Sequence, residues 1–298
     1  MRFLGLDLNL LVALDALLAE QNVSAAADRI HLSQSAMSGA LNRLREYFGD
    51  ELLVPMGRRM ALTPRAEQLV DPVRNALMHI RANITLRPEF DPSTCDRRFL
   101  VVASDYAAVV GLSNGFSRIG ALAPGMGFAL LPIGGSGIER LERGEIDIFI
   151  APEQFISADH PSHPLFSDEH VVIASADNPR LDRGLDEEAY FTLGHVVSHF
   201  PSLRPSFEDP LARPGQRARR IEIIAPSFTL VPHFVVSSHR IAMVQRRLAE
   251  LYARILPLKV FDLPFPAPSM RQRIQWHRLN ENDAATLWVR DRLTEAFT

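Results

Sequence analysis

The stretch that most constrains this chain is "NVSAAADRIHLSQSAMSGALNRLREYFGDELL", Asn22 to Leu53, where small residues, a serine-rich break and a second amphipathic run share one short span. Just upstream, Leu10, Leu11, Leu14, Leu17 and Leu18 recur at helical spacing, which predicts an amphipathic helix over Leu6 to Glu20 that stops at Asn22. Ser24 predicts the N-cap of a second helix, Ala25 to Ile30, whose alanines let another helix come close. After a turn at His31 and Leu32, Ser33 caps a third helix with Met37, Ala40, Leu41, Leu44 and Phe48 on its buried side and Gly49 at its end.

The opposite side of that third helix carries Gln34, Ser35, Ser38, Asn42 and Arg45 at spacings of three or four. Two short helices joined by a tight turn, the second presenting such a polar stripe, are what a helix-turn-helix lays into the major groove. Gln and Asn can read base edges there, while Ser and Arg reach phosphate or guanine. Periodicity alone fits an ordinary three-helix packing unit with a solvated stripe equally well. The next segment, two short apolar runs between Leu52 and Leu62 around a Gly57-Arg58-Arg59 turn, predicts a two-stranded wing whose arginines suit a phosphate backbone. The net charge of -3, and ten Arg against ten Asp plus Glu from Met1 to Phe90, argue against a general nucleic-acid coat. From Ser33 to Arg65, however, five arginines (Arg43, Arg45, Arg58, Arg59, Arg65) face three acids (Glu46, Asp50, Glu51), so DNA contact must be local. The candidate contacts are Ser33, Gln34, Ser35, Ser38, Asn42, Arg43, Arg45, Arg58 and Arg59.

The whole run "LDLNLLVALDALLAEQNVSAAADRIHLSQSAMSGALNRLREYFGDELLVPMGRRMALTPRAEQL" resembles the DNA-binding region of LysR-type transcriptional regulators. An alanine-rich second helix, a Ser-Gln-x-Ala-x-Ser start to the recognition helix, an Arg-Leu pair, a wing and an "LTP" opening a long helix occur in the family's order. The beginning, "MRFLGLDLNLLVALDALL", is similar to the nodulation-regulator branch in particular. One departure is Ser35, which stands where the family usually has a proline that presets the first helical turn.

Thr63 and Pro64 predict an N-cap and first residue of one long helix, along which Leu69, Val73, Leu77, Ile80 and Ile84 form an apolar seam wider than a connector needs. A partner helix is expected to cover it, since the corresponding helix pairs subunits in the family. Pro88 and Pro92 break the pattern near Phe90, and α/β alternation follows. Strands are expected at Phe99 to Ala103, Met126 to Leu131 and Asp147 to Ile150, with helices around Tyr106 to Leu122 and Ser136 to Arg143. "HVVIAS", "LGHVVSHF", "RIEIIA", "RIAMVQ" and a strand near Val260 predict a second lobe, and "RIQWHRL" with a helix from Asp283 to Phe297 returns to the first. The expected fold is therefore α/β: an N-terminal winged helix-turn-helix (1–63), a long linker and dimerisation helix (64–90), and a C-terminal two-lobed effector domain (91–298) like a periplasmic binding protein. Lobe I takes about 91–164 and 268–298, and lobe II about 165–267.

Open α/β lobes bind ligands beyond the carboxyl ends of their strands. That rule selects Ser104, Asp105, Ile133, Gly134, Phe200 and Phe228 as candidate effector contacts, with Ser198, His199, Ser227 and Thr229 beside them. The branch resemblance implies an aromatic or phenolic effector, and Asp105 would accept a phenol proton while disfavouring a carboxylate; a plain cap on the helix that follows is an equally good reading of Asp105. Enzyme motifs fail on inspection. "GGSG" at Gly134 to Gly137 has Ile138 where a nucleophile elbow needs glycine, and "GMG" at Gly125 to Gly127 lacks the third glycine of a dinucleotide loop. His195 and His199 are four apart but flank valines of a strand, and the single cysteine, Cys95, excludes an intramolecular disulfide. No metal or cofactor is expected. No run approaches the roughly 20 apolar residues of a membrane span, and Asp7, Asp15 and Glu20 charge the region where a signal peptide would be neutral, which predicts a cytoplasmic protein. The reading is a non-enzymatic, ligand-responsive regulator whose partners are double-stranded promoter DNA, a small-molecule effector, further copies of itself as homodimer or homotetramer, and RNA polymerase. The rival is a small-molecule-binding protein or enzyme carrying a fused helix-turn-helix.

Overall fold

The computed structural model describes residues 2–3, 6–57, 59–83, 90–134, 137–198 and 218–297. They fall into two compact units, Met1–Arg87 and Pro88–Thr298.

The first unit opens with a short antiparallel pair, β1 (Arg2–Phe3) and β2 (Leu6–Asp7), so helix α1 begins at Asn9 and not at Leu6. Asp7 sets that start by accepting the Asn9 N–H at 3.1 Å. Helix α1 (Asn9–Glu20) buries all five leucines of the predicted stripe. Helix α2 (Val23–Arg29) is capped by Asn22 rather than Ser24. The asparagine is extended and its side-chain oxygen accepts from Ser24 and Ala25 N–H at 2.9 and 3.1 Å, satisfying two donors the helix leaves open. Ala26 and Ala27 are fully packed. Helix α3 (Gln34–Phe48) is capped by Ser33 as expected and ends at Gly49, whose φ of 61° suits a residue without Cβ. Strands β3 (Leu53–Met56) and β4 (Arg59–Leu62) pair antiparallel about Gly57 to form the wing.

Helix α4 (Pro64–Asn83) follows, with the Thr63 hydroxyl accepting the Ala66 N–H. Its apolar seam departs from expectation. Ala66 and Val73 are buried, and Leu69, Val70 and Leu77 pack on the cluster formed by α1 and α3. The adjacent helices therefore cover most of a seam that the sequence suggests is open, because α1 lies alongside α4. Of the seam residues, Ile80 stays half-buried outside that cluster, and Ile84 lies outside the described residues.

The second unit holds two five-stranded sheets. The first has the order β6-β5-β7-β14-β8, from β5 (Arg98–Ala103), β6 (Gly127–Pro132), β7 (Ile148–Pro152), β8 (Ser162–Asp168) and β14 (Met270–Trp276). The second has the order β11-β10-β12-β9-β13, from β9 (His170–Ser175), β10 (Gly194–Ser198), β11 (Arg220–Ala225), β12 (Ile241–Gln245) and β13 (Leu258–Asp262). The chain passes between the sheets after β8 and returns before β14, the two crossovers expected. Among the described residues parallel pairing is confined to β5, β6 and β7 and to β10, β11 and β12. Strands β9 and β14 run antiparallel to their neighbours, so the α/β alternation does not extend along the whole domain. Strand β8 escapes a hydrophobic-run search because it is an edge strand with polar residues and Pro164, features an edge tolerates.

Beyond β5, α5 (Asp105–Ala107), a π-helical segment (Ala108–Leu112) and α6 (Ser113–Leu122) follow one another directly. Gly111 is obligatory there, since a Cβ would lie 2.1 Å from the Phe297 ring. Helix α7 (Ala284–Glu295) packs on α6 and β8, returning the chain to the first lobe. Apolar clusters cover both faces of each sheet. No helix among the described residues is long and apolar enough to cross a membrane.

Candidate functional site

The first candidate site is the outward face of α3. Met37, Ala40, Leu41 and Leu44 are buried, which by helical periodicity turns Gln34, Ser35, Asn42 and Arg43 out to solvent, with Ser38 half-exposed. Ser33 and Ser35 hydroxyls lie 3.0 Å apart, and Ser33 is already committed to the Ala36 N–H. Gln34, Ser38 and Asn42 make no side-chain hydrogen bond with the described residues and therefore retain their full donor and acceptor capacity. Arg43 reaches Asp7 only at 4.0 Å, an exposed pair of little energetic weight. On the wing, Arg59 is exposed, and Arg58 lies outside the described residues.

Arg45 differs from the rest of the stripe. Its guanidinium turns toward the start of the wing, donating from Nε to the Glu51 carbonyl at 2.8 Å and from Nη2 to the Leu53 carbonyl at 3.1 Å, with the Glu51 carboxylate 3.1 Å away. Beside it the Asp50 carboxylate accepts the Thr63 hydroxyl and the Leu52 N–H, and these bonds hold its pKa below the ordinary carboxylate value. Helical spacing placed Arg45 on the stripe; the length of an arginine, which lets it fold back along its own helix end, is what spacing cannot show.

The second candidate site lies at the carboxyl ends of the parallel strands. The register pairs Ala103 of β5 with Pro132 of β6, so Ser104 and Ile133 leave the sheet side by side. In the other lobe Ser198 pairs with Ala225, and Phe228 follows the end of β11. Ser104 caps the helix after β5, accepting the Ala107 N–H at 3.2 Å. Asp105 spans the lobes: one carboxylate oxygen accepts the Thr229 N–H at 2.7 Å and the Thr229 hydroxyl at 2.6 Å, and the other accepts the Phe228 N–H at 3.3 Å. It is thus no idle acceptor awaiting a phenol. The Phe228 ring is buried in the second lobe's core, edge-on to Tyr106, and Ile133 is buried in a core cluster of the first. Gly134 is half-exposed, and Phe200, like His199, lies outside the described residues.

Tyr106 carries no sequence signal of a site, yet its side chain enters the second lobe's core from the first lobe's helix. Its hydroxyl donates to Asp168 at 2.5 Å, and burial together with that carboxylate pushes its pKa upward. Asp168, where the chain leaves β8, also accepts the Glu169 and Arg247 N–H groups at 2.8 and 3.2 Å. Arg247 lies over the Phe166 ring and donates to the Phe297 carbonyl at 3.1 Å, while Phe297 stacks on Phe166 with centroids 4.3 Å apart. No local signal exposes this set, because Tyr106 and Asp168 are 62 residues apart. His195 is a core residue: its Nε2 lies 2.6 Å from the Tyr190 carbonyl, and burial lowers its pKa to about 4. Among the described residues no group of three or more His, Cys, Asp or Glu is placed to hold a metal ion.

Comparison with known proteins agrees with both halves of this geometry. Residues 8–67 match the family described as "Bacterial regulatory helix-turn-helix protein, lysR family", and residues 97–298 match "LysR substrate binding domain". The chain is 43% identical to a Nodulation protein D of Bradyrhizobium sp. (strain ANU 289) over 99% of this chain and 88% of that protein. A solved structure of a probable transcriptional regulator from Pseudomonas aeruginosa is similar at a TM-score of 0.75 and 31% identity, covering 98% of this chain and 97% of that one. Full-length CbnR, solved with its target DNA, shares the fold at a TM-score of 0.61 and 14% identity over 98% of this chain and 100% of that one. Two family descriptions in order, joined to 43% identity across nearly the whole length, establish that this chain belongs to the LysR family of bacterial transcriptional regulators.

Proposed function

We propose that the chain reads promoter DNA through the polar face of α3 and adjusts transcription when a small aromatic or phenolic molecule enters between the lobes of the second unit. The observation that carries the DNA half is the set of side chains, exposed Gln34 and Asn42 and half-exposed Ser38, that bond to nothing among the described residues yet share one helix face. Groups of that chemistry on a helix preceded by a tight turn match the major groove in width and in hydrogen-bonding pattern. Arg43 and Arg59 add phosphate contacts, and we extend that role to Arg58, which precedes Arg59 in the sequence. The effector half rests on Ser104, Asp105, Ile133, Gly134 and Phe228 at the strand ends, on the relatives' name, Nodulation protein D, and, from the sequence alone, on Phe200. A ligand there replaces hydrogen bonds that Asp105 already makes, which couples binding to the spacing of the lobes. Residues 64–90 are the linker and dimerisation segment, and pairing of two copies through Ile80 of α4 aligns two recognition helices about one DNA turn apart. Because Leu77 packs within its own unit, Ile80→Asp is the substitution that tests such pairing.

The test of the reading is the affinity of the full-length chain for the promoter beside its own gene across a salt series. A linear fall of log K with log salt marks phosphate contacts. An absence of promoter binding at any salt contradicts it, as a solute-binding protein would behave. Calorimetric titration with phenols and matched benzoates tests the effector class; tighter binding of benzoates, or none of either, removes the phenolic assignment.

A further inference from the structure

Leu52 has a φ of 60°, the left-handed region that an L residue with a branched side chain rarely adopts, and it stands between the recognition helix and the wing. Its side chain is buried in the core of the winged-helix unit, so the turn cannot relax by letting the leucine swing out. Four backbone groups around it are captured. The Leu52 N–H is taken by Asp50 at 2.7 Å, and its carbonyl accepts the Thr63 N–H at 3.1 Å. The carbonyls on either side, of Glu51 and Leu53, are both held by the one guanidinium of Arg45 from the last turns of α3. Asp50 in turn binds the hydroxyl of Thr63, and Thr63 caps α4. One arginine and one aspartate therefore tie the recognition helix, the base of the wing and the start of α4 through a turn that would not hold this conformation unaided.

We infer that Arg45 and Asp50 are positioning residues for DNA reading: Arg45 sets the wing against the recognition helix through the Glu51 and Leu53 carbonyls and does not itself touch DNA. The inference rests on the DNA-binding reading above and narrows it, moving Arg45 from the contact face to the frame behind it. The forked guanidinium is suited to the task because it can hold two carbonyls in one plane, which a single ammonium cannot do equally. A wing held this way meets the backbone in one orientation; without the brace its contacts must be ordered anew at each binding event.

The experiment uses full-length protein and two readouts, hydrogen exchange of peptides spanning 51–63 and 34–48, and affinity for promoter DNA over a salt series. In Arg45→Met, exchange of the wing peptide rises about tenfold or more while the recognition-helix peptide keeps its protection. Promoter affinity falls about tenfold or more in the same variant. Asp50→Asn shows the same pattern more weakly, because an amide still offers one acceptor. Unchanged wing exchange overturns the inference. So does lost affinity without altered exchange and with the salt slope flattened by about one unit, which marks Arg45 as a direct phosphate contact. Faster exchange with full affinity also overturns it, by showing that wing placement does not matter. If Arg45→Met loses protection throughout 34–48, Arg45→Gln, which keeps one donor for a carbonyl, is read by the same criteria. A wild-type chain that binds no promoter DNA fails the underlying reading instead, and the wild-type titration alone reveals that.

Discussion

On α3, three polar side chains, Gln34, Ser38 and Asn42, make no hydrogen bond within the described fold, while at the strand ends of the second unit Asp105 accepts three across the lobes and Tyr106 donates to a buried carboxylate. The two regions carry similar residue types under opposite constraints. A polar side chain that serves nothing in its own fold can be lost without cost to folding, so its consequence is confined to a partner. One that already holds two lobes together contributes to stability first, and a ligand reaches it only by exchanging one set of hydrogen bonds for another. On the proposed function, uncommitted groups in the first region are free for a partner, whereas a ligand at the committed groups of the second must change the bonds that hold the lobes.

The largest test of this contrast sits within α3 itself. Met37→Ala empties a fully buried position and is expected to cost about 2–5 kcal/mol of the winged-helix unit's stability. Gln34→Ala, one turn away and exposed, is expected to stay within about 0.5 kcal/mol. Denaturant unfolding followed in both variants checks the pair, and comparable losses would mean that the polar face is structural after all.

Next in size is acid sensitivity of the second unit. Burial holds His195 neutral down to about pH 4, against 6.5 for the ordinary group, an effect the Tyr190 carbonyl only partly opposes. Between those values the unfolded chain takes up a proton that the folded chain refuses, so stability is complete above about pH 6.5 and declines as pH falls, by up to about 3 kcal/mol. Chemical denaturation at pH 7 and pH 4.5 measures the slope. His195→Leu should flatten it, and an unflattened slope would move the acid sensitivity to other groups.

Asp105→Ala is expected to cost the second unit about 1–3 kcal/mol, since it leaves the Thr229 and Phe228 amides without their charged acceptor. Thermal unfolding reads this directly, and a neutral result would show that the bridge between lobes carries no weight. The smallest stability effect belongs to Arg59→Ala, within about 0.5 kcal/mol, with a salt slope of DNA binding lower by about one unit. A slope that does not move would assign Arg59 to the wing's own surface.

The same contrast explains what the sequence discloses. Recognition-helix residues are local: Ser33 caps, Met37 to Leu44 mark one face, and the opposite face follows from 3.6-residue geometry. One cap differs, with Asn22 standing where the sequence points to Ser24, because either oxygen can reach the open amides, while Ser33, Gly49 and Thr63 stand where expected. The strands of the second unit were legible as apolar runs, whereas β8 was not, its edge position allowing Pro164 and polar residues. The committed groups were the least legible. Tyr106 meets Asp168 and Asp105 meets Thr229 only once both lobes are folded, at separations of 62 and 124 residues that no periodicity encodes. The α4 seam fails for a related reason, since an apolar stripe shows that a surface is buried without showing whether α1 or a second copy buries it.

The central claim is that the uncommitted face of α3 reads bases, and Asn42→Ala tests it most directly. Binding of the full-length chain to promoter DNA and to random DNA of equal length should be compared across a salt series. The account predicts a loss of about 1–3 kcal/mol on promoter DNA, little change on random DNA and an unaltered salt slope. Equal weakening on both sequences, or a flattened slope, would place Asn42 on the phosphate backbone and contradict the base-reading role of this face.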